Sequence, residues 1–223
     1  MIAALLPLVV LSASLGFAWL RHHQEAIEDE ASDHVQRIAI LLERELAAQI
    51  DVLRTLAASP LLDGEVDEAG FAELARRIRR DQPLWLAVIL SDAEGNRLVD
   101  APEPVTGVPR GRVIDDASHA RAVETRQPVI GRVLRGPRNR PAFAVRVPVV
   151  RNDRVSHVVS AVIEPSTVRD LLFSEFIPAG WMGAVIDGDG RLVAHRTGVS
   201  SAIGQPVSEE RTGGAHPRGA RHL

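Results

Sequence analysis

The chain opens with a mostly apolar stretch that no charge interrupts. Residues 2–20 contain no Asp, Glu, Lys or Arg, and a helix of this length crosses the hydrocarbon core of a bilayer. A cleaved signal peptide is the alternative, but its apolar region is usually shorter, and no clear Ala-x-Ala cleavage site precedes Arg21. The pattern predicts an uncleaved transmembrane helix at 1–20, and therefore attachment to a membrane.

The next segment has the apolar period of one long amphipathic helix, predicted at 21–58. No Gly or Pro interrupts it before Pro60. Its apolar stripe is narrow, so it pairs with the same helix of a second copy, in a homodimer, or packs on the chain's own domain, or does both along different parts. The stripe consists of Ile27, Ala31, Val35, Ile38, Leu42, Leu46, Ile50, Leu53 and Ala57.

Beyond Pro60 the pattern becomes a mixture of short helices and strands. A second helix is predicted to begin after an N-cap at Asp67. Alternating apolar residues and turn residues then predict two further helices and five strands. Their order favours an α+β domain over residues 59–173, built as an antiparallel five-stranded sheet with flanking helices. The strands are predicted at 84–91, 97–100, 128–135, 141–150 and 155–164, and the helices at 115–126 and 166–173.

Two segments about a hundred residues apart have nearly the same pattern. In each, an apolar run reaches an Asp, a Gly follows three positions later, and Arg-Leu-Val resumes the run; the pairs are Asp92 with Gly95 and Asp187 with Gly190. Each predicts a β-hairpin. The repeat predicts that a second, similar module begins at 174–200. Too few residues remain to complete it, and 201–223 are predicted to be disordered, so we expect a truncated or frame-shifted fragment of a longer protein.

The order of these segments resembles the Cache family, the extracytoplasmic PAS-like sensor domains of bacterial receptors. The resemblance implies a membrane-distal PAS-like module at 59–173 and the start of the membrane-proximal module of a double Cache domain at 174–200. It also implies an inner-membrane protein with its sensor domain in the periplasm. The segments that carry it, besides the membrane span, are LAASP at 56–60, VILSD at 88–92 with Gly95, PVIG at 128–131, VRVPV at 145–149, VIEP at 162–165 and Gly180-Trp181.

The resemblance implies the input domain of a membrane-bound signal-transduction receptor. Such a domain binds a small molecule and signals by displacing helices. Cache domains most often serve sensor histidine kinases of two-component systems, and also diguanylate cyclases and chemoreceptors. A membrane-anchored domain for dimerisation or partner binding, with no ligand, is the alternative. Amino-acid-binding Cache domains carry a motif that contains Tyr, and since this chain has no Tyr, the sequence disfavours an amino-acid ligand.

Composition and charge exclude several kinds of chemistry. The formal net charge of −3 does not favour a nucleic-acid partner, and without Cys the chain has neither disulfides nor thiol nucleophiles. It also lacks Lys, so it has no Schiff-base chemistry. The stretch Asp187–Gly190 is similar to a calcium loop, but Arg191 stands where a ligand is needed, so a hairpin turn is favoured. We therefore expect no catalysis, no metal and no cofactor.

Five residues are candidates for contact with a ligand. Arg132 and Arg146 lie on predicted strands, where a guanidinium can hold the carboxylate of an organic anion by two hydrogen bonds. The alternative for both is the solvent face of an alternating strand. Trp85, His119 and Phe143 either line the same cavity or belong to the core. The cavity is expected between the sheet and a covering segment at 105–126.

Overall fold

The long amphipathic pattern at the start of the chain forms one helix. Helix α1 extends over Leu6–Ala57. The chain forms two compact units, residues 1–41 and residues 42–223, so α1 contributes to both. The computed structural model describes residues 6–102, 110–136, 139–173, 183–196 and 202–207.

The predicted membrane span begins outside the described residues. The span was placed from Ile2 onward, whereas the description of α1 starts at Leu6. Within the described ranges, no helix contains a stretch long and apolar enough to cross a membrane. The transmembrane helix at 1–20 stays a prediction, as do the domain limits at 58, 173 and 200.

Short helices and strands follow α1 in the predicted order. A 3-10 turn at Pro60–Leu62 leads into α2 (Glu68–Arg80). The side chain of Asp67 accepts a hydrogen bond from the backbone N–H of Gly70 at 2.9 Å, which confirms the predicted N-cap. The remaining elements are β1 (Trp85–Asp92), β2 (Arg97–Ala101), α3 (Asp116–Thr125), β3 (Val129–Ile130), β4 (Leu134–Arg135), β5 (Pro141–Arg151), β6 (Arg154–Ile163), α4 (Pro165–Phe173), β7 (Ala184–Ile186) and β8 (Leu192–His195).

The strands form an antiparallel sheet, as predicted, with the order β2-β1-β6-β5-β3. The predicted strand at 128–135 is instead two short strands, β3 and β4, which both pair with β5. The interruption contains Gly131, where an added Cβ would lie 2.6 Å from the Oδ2 atom of Asp115. The edge strand is thus broken where the start of α3 lies against it. This makes the domain α+β, with helices flanking the sheet.

The two repeated segments fold into two similar hairpins. In the β1–β2 turn, the side chain of Asp92 accepts from the backbone N–H of Asn96 at 2.7 Å. In the β7–β8 turn, the side chain of Asp187 accepts from the backbone N–H of Arg191 at 2.9 Å. Each glycine three positions after the Asp has positive φ, 90° at Gly95 and 73° at Gly190. Both predicted hairpins are confirmed, because each turn depends only on its local sequence.

One face of the main sheet is apolar and forms the core with the end of α1. Strand pairing places Val88, Val145 and Ala161 side by side on this face, all fully buried. Trp85 belongs to the same face, and its Nε1–H donates to the Oε1 of Gln49 on α1. The side chains that the end of α1 buries are Leu42, Leu46, Leu53 and Leu56.

This packing decides between the two alternatives for part of the apolar stripe. Leu53 is 0% exposed within a single copy of the chain, and Leu42 is 5% exposed. Leu42 and Leu53 therefore take the second alternative, because the chain's own domain already covers them. Val35, in contrast, is 48% exposed.

We expect the substitution Leu53→Ala to lower the free energy of unfolding by about 2–5 kcal/mol, because it leaves a cavity in the core. Urea unfolding followed by circular dichroism measures the loss. Ile114→Ala is the matched control, since Ile114 loses the same number of carbon atoms but is 56% exposed. Equal losses in the two variants would contradict this account of the core.

Candidate functional site

The second face of the sheet is polar at its centre, and we call it the polar face. The pairing of β5 with β6 and of β6 with β1 aligns Arg146, Ser160 and Ile89 in one row across the strands. The neighbouring row consists of Ala144, Val162 and Ala87. Directly paired residues point to the same side of a sheet. The polar face therefore has a floor of small side chains next to one arginine.

Arg146 is buried at the middle of β5, and its guanidinium is held by three neutral oxygens. The residue is 3% exposed. Its Nε–H donates to the Oγ of Ser118 at 2.7 Å, Nη1 to the Oγ of Ser160 at 3.1 Å, and Nη2 to the backbone carbonyl of Asp115 at 3.2 Å. A guanidinium has five N–H groups, so two remain for another acceptor. We call Arg146, Asp115, Ser118 and Ser160 the Arg146 cluster.

The charge of Arg146 lacks a direct counter-ion. Among the described residues, no carboxylate forms an ion pair with it, although Asp115 and Asp116 are near enough to favour its charged form. Burial lowers the pKa of Arg146 and outweighs the opposing effect of these two carboxylates. An arginine nevertheless stays protonated in proteins. The cluster therefore holds a buried positive charge.

Asp115 links the cluster to the start of α3. It is 5% exposed, and its Oδ1 accepts from the backbone N–H of Ser118 at 3.4 Å as the N-cap of the helix. The Nε of Arg132 lies 3.7 Å from the same oxygen, while the buried Oδ2 has no hydrogen-bond partner within the described part of the chain. This open acceptor faces Gly131, so the cluster contains an unused acceptor as well as the two unused N–H groups of Arg146.

His119 lies on α3 one position after Ser118 and also points to the polar face. Its Nε2 is 3.1 Å from the Oγ of Ser91 and 3.1 Å from the backbone carbonyl of Asp92. Burial, with a further effect of Arg146, lowers the pKa of His119. His119 is therefore neutral at pH 7, and it fixes α3 to β1 by hydrogen bonding rather than by charge.

A cavity of about 760 Å³ lies at the β3 edge of the sheet. Its wall includes Asp115 and Ser118 of the Arg146 cluster and the predicted residues Arg132 and Phe143. The remaining wall is mostly apolar and comes from the end of α1, from α3, from β3 and its flanks, and from the β7–β8 hairpin. Because Arg132 is exposed to solvent, its charge is already hydrated, and it gains less from a ligand than a buried cation does.

The structure separates the five candidate residues. Arg146 and His119 come together on the polar face, Arg132 joins them through Asp115, and Phe143 lines the edge cavity. Trp85 does not join them: it is buried in the core with Gln49, so it takes the core alternative. The part of the covering segment at 105–109 lies outside the described residues. Whether these side chains bind a ligand stays a prediction.

Sequence reasoning missed the residues that hold Arg146. In the sequence, Asp115 is only the first residue of the predicted helix at 115–126, while Ser118 and Ser160 carry no recognisable motif. Their role depends on the register of β5 with β6 and on the position of α3, which are not local properties. As for metals, within the ranges that the structure describes no group of three His, Asp or Glu side chains is arranged to hold an ion.

Comparison with known proteins relates this fold to bacterial receptors. No protein-family model matches the chain, and a search of curated protein sequences finds no match. Among solved structures, the ligand-binding domain of the Pseudomonas aeruginosa amino-acid chemoreceptor PctC, in complex with GABA, is 16% identical with a TM-score of 0.64. The aligned part covers 82% of this chain and 81% of that one.

Two further structures of the same kind are similar to the chain. The ligand-binding domain of the Pseudomonas fluorescens chemoreceptor CtaA, in complex with L-serine, is 15% identical with a TM-score of 0.66, covering 85% of this chain and 80% of that one. The domain of P. aeruginosa PctB, in complex with L-Arg, is 19% identical with a TM-score of 0.65, covering 83% and 76%. The chain therefore shares its fold with ligand-binding domains of bacterial chemoreceptors.

We expect His119 to make the folded chain less stable in acid. The unfolded chain takes up a proton at the ordinary histidine pKa of 6.5, whereas the folded chain resists it because the pKa of His119 is lowered. The free energy of unfolding should thus fall as the pH drops below this value, until the folded pKa is reached. Urea unfolding at about pH 8 and pH 5.5 measures the fall.

The variant His119→Gln is expected to show a smaller fall, because an amide keeps a hydrogen bond to Ser91 without titrating. The pKa of His157 is also lowered by burial, so His157→Gln should remove a separate part of the same pH dependence. An unchanged pH dependence in His119→Gln would contradict the account of His119.

Proposed function

We propose that the chain is a Cache-type, extracytoplasmic ligand-sensing domain of a membrane-bound signal-transduction receptor, and that it binds a small organic anion at Arg146. The observation that carries this proposal is the buried guanidinium, which has two unused N–H groups and, among the described residues, no carboxylate partner. The shared fold supports it, since the similar domains are ligand-binding domains of chemoreceptors.

The energetic argument concerns the cost of the buried charge. Taking an ion out of water without a counter-ion costs on the order of several kcal/mol. Three neutral oxygens offset part of that cost at Arg146, and a carboxylate that fills the two remaining N–H positions offsets more, through charge-assisted hydrogen bonds. Arg146 therefore gains more from an anion than the exposed arginines do.

The position of the ligand follows from the shape of the polar face. Ala87, Ala144 and Val162 are only half-buried, so the floor beside Arg146 is not fully covered. α3 lies over the other side of Arg146, where Ser118 and Asp115 contact the guanidinium. A ligand on the floor thus touches the sheet and the helix together, and its presence changes how α3 sits on the sheet.

The class of receptor is the second part of the proposal. The sequence resemblance favours the input domain of a sensor histidine kinase, whereas the solved structures reported above belong to chemoreceptors. That observation makes the chemoreceptor an equal candidate, and the diguanylate cyclase is a weaker one. All three place the domain in the periplasm and its output across the inner membrane.

The route of the signal is proposed to be α1. The end of this helix belongs to the core beneath the sheet through Leu53 and Leu56, and the helix continues without a break back to Leu6. We propose that it extends from a membrane span, pairs with a second copy along residues 32–41, and is displaced when the ligand binds. The ligand can favour the displaced position of α1 only by the difference in its binding free energy between the displaced and the resting position, commonly about 1–3 kcal/mol.

We expect short carboxylates to raise the melting temperature of the purified chain, because a ligand that binds only the folded state adds about 2.7 kcal/mol at one hundred times its Kd. The panel contains monocarboxylates, dicarboxylates, hydroxy acids and amino acids. Arg146→Lys should abolish the shift, since an ammonium cannot make the bidentate contact.

Arg154→Lys is the matched control, because Arg154 is exposed at the start of β6, and its shifts should equal those of the wild type. Shifts that survive in Arg146→Lys would move the site away from Arg146. A panel without any shift would favour the alternative of a domain for dimerisation or partner binding.

We expect single cysteines at Val35 and Ile38 to crosslink in membranes. The two positions lie on one side of α1, one turn apart, and Val35 is 48% exposed. The chain has no native Cys, so each crosslink reports one position. Cysteine at Arg37, on the opposite side, is the control. Equal crosslinking at all three positions would contradict the helix pair.

A further inference from the structure

A β-bulge places a second arginine on the polar face. Leu90 pairs with Val99, but the next residue of β1, Ser91, pairs with Arg97. The extra residue, Leu98, shifts the period of β2, so Arg97 points to the same side as Asp100. Asp100 pairs with Ile89, in the row that contains Arg146.

Arg97 and Asp100 form a pair whose polar capacity is only partly used. The Nη1 of Arg97 lies 3.3 Å from the Oδ1 of Asp100, and the side chains are 17% and 6% exposed. The Nε of Arg97 and the Oδ2 of Asp100 are both buried and have no hydrogen-bond partner among the residues that the structure describes. A buried donor and a buried acceptor that lack hydrogen-bond partners each cost about 1–3 kcal/mol. The pair therefore presents one donor and one acceptor to a common partner.

We infer that Arg97 and Asp100 form hydrogen bonds with the far end of the ligand. They select an uncharged group that both donates and accepts hydrogen bonds, such as a hydroxyl or a carboxamide. The inference rests on the proposed function, in which Arg146 holds the carboxylate of the same ligand. It assigns a specificity role to two residues at the opposite end of the polar face from Arg146.

The distance between the two ends limits the length of the ligand. Asp100 and Arg146 are three strand spacings apart in their row, which is roughly 14 Å between Cα atoms. The guanidinium of Arg146 already reaches Ser160, one strand nearer to Asp100. The remaining gap, including a hydrogen bond at each end, fits a chain of about four carbons, since each hydrogen bond takes up about 2.8 Å.

Charged groups suit the pair less well than neutral ones. An ammonium satisfies the Oδ2 of Asp100 but stands beside the Arg97 guanidinium and leaves its Nε–H unbonded. A carboxylate satisfies that N–H but lies against the Asp100 carboxylate. Burial raises the pKa of Asp100, while Arg97 and Arg110 oppose the rise. A second carboxylate becomes acceptable only when Asp100 is protonated, so the test belongs at about pH 8, above the ordinary acid range.

The test compares acids of equal length that differ only at the far end. Isothermal titration of the full chain measures the Kd of butanoate, 4-hydroxybutanoate, succinamate, succinate and 4-aminobutanoate. We expect 4-hydroxybutanoate and succinamate to bind about tenfold more tightly than the other three, which corresponds to one hydrogen-bond pair. Equal affinities for butanoate and 4-hydroxybutanoate in the wild type would overturn the inference.

Two variants separate this inference from the proposed function. Asp100→Asn should remove the discrimination against succinate, while Asp153→Asn in the exposed β5–β6 turn is the matched control and should leave all five affinities unchanged. Arg146→Lys should weaken all five acids alike. If the wild type binds none of them, the proposed function fails for this class of ligand. If it binds all five equally, Arg146 keeps its role and the specificity role of Arg97 and Asp100 is rejected.

Discussion

The buried positive charge of Arg146 is the constraint on which the polar side of this domain depends. A guanidinium at the centre of a sheet needs acceptors on several sides, and the neighbouring strand and helix supply them as Ser160, Ser118 and the carbonyl of Asp115. Those contacts fix where α3 begins and how close it comes to the sheet. The interrupted edge strand follows from the same geometry, because only a glycine at position 131 leaves room for Asp115.

The two faces of the sheet have different physical roles. The apolar face is closely packed with valines, and the end of α1 completes its core. The polar face has small side chains, one buried arginine and a second pair of charged groups, so it is less suited to packing and more suited to recognition. Arg97, Asp100 and Asp115, on or beside this face, each bury a polar atom that has no partner among the described residues, which packing alone does not favour.

The sequence alone predicted the features that depend on local residues. The two Asp–Gly hairpins, the cap at Asp67 and the limits of the main helices are set by turn chemistry and period, and the structure reproduces them. The antiparallel sheet followed from the order of the elements. The class of fold was thus accessible before any coordinates.

The site was less accessible, because its residues meet through pairing and packing between distant segments. The alternation of apolar and polar residues along β5 did not decide whether Arg146 faces solvent or a pocket. Arg146 is buried because α3 packs over it. In the sequence, Trp85 and Phe143 were equally suited to line a cavity or to belong to the core. The hydrogen bond from Trp85 to Gln49 of α1 places Trp85 in the core. Regular alternation along β2 places Arg97 and Asp100 on opposite faces of the sheet. One extra residue in β2 brings them to the same face, so the position of Arg97 could not be predicted from the sequence.

The fully buried leucines at the end of α1 have a consequence for how such a domain changes during evolution. Leu53 and Leu56 contribute to the stability of the domain and, at the same time, determine the resting position of the helix beneath the sheet. A substitution there alters both properties in one step, and selection cannot act on one without the other. Residues 32–41 are more exposed and are not constrained by both properties at once. Substitutions should therefore accumulate there, while the residues in the last turns of the helix change little.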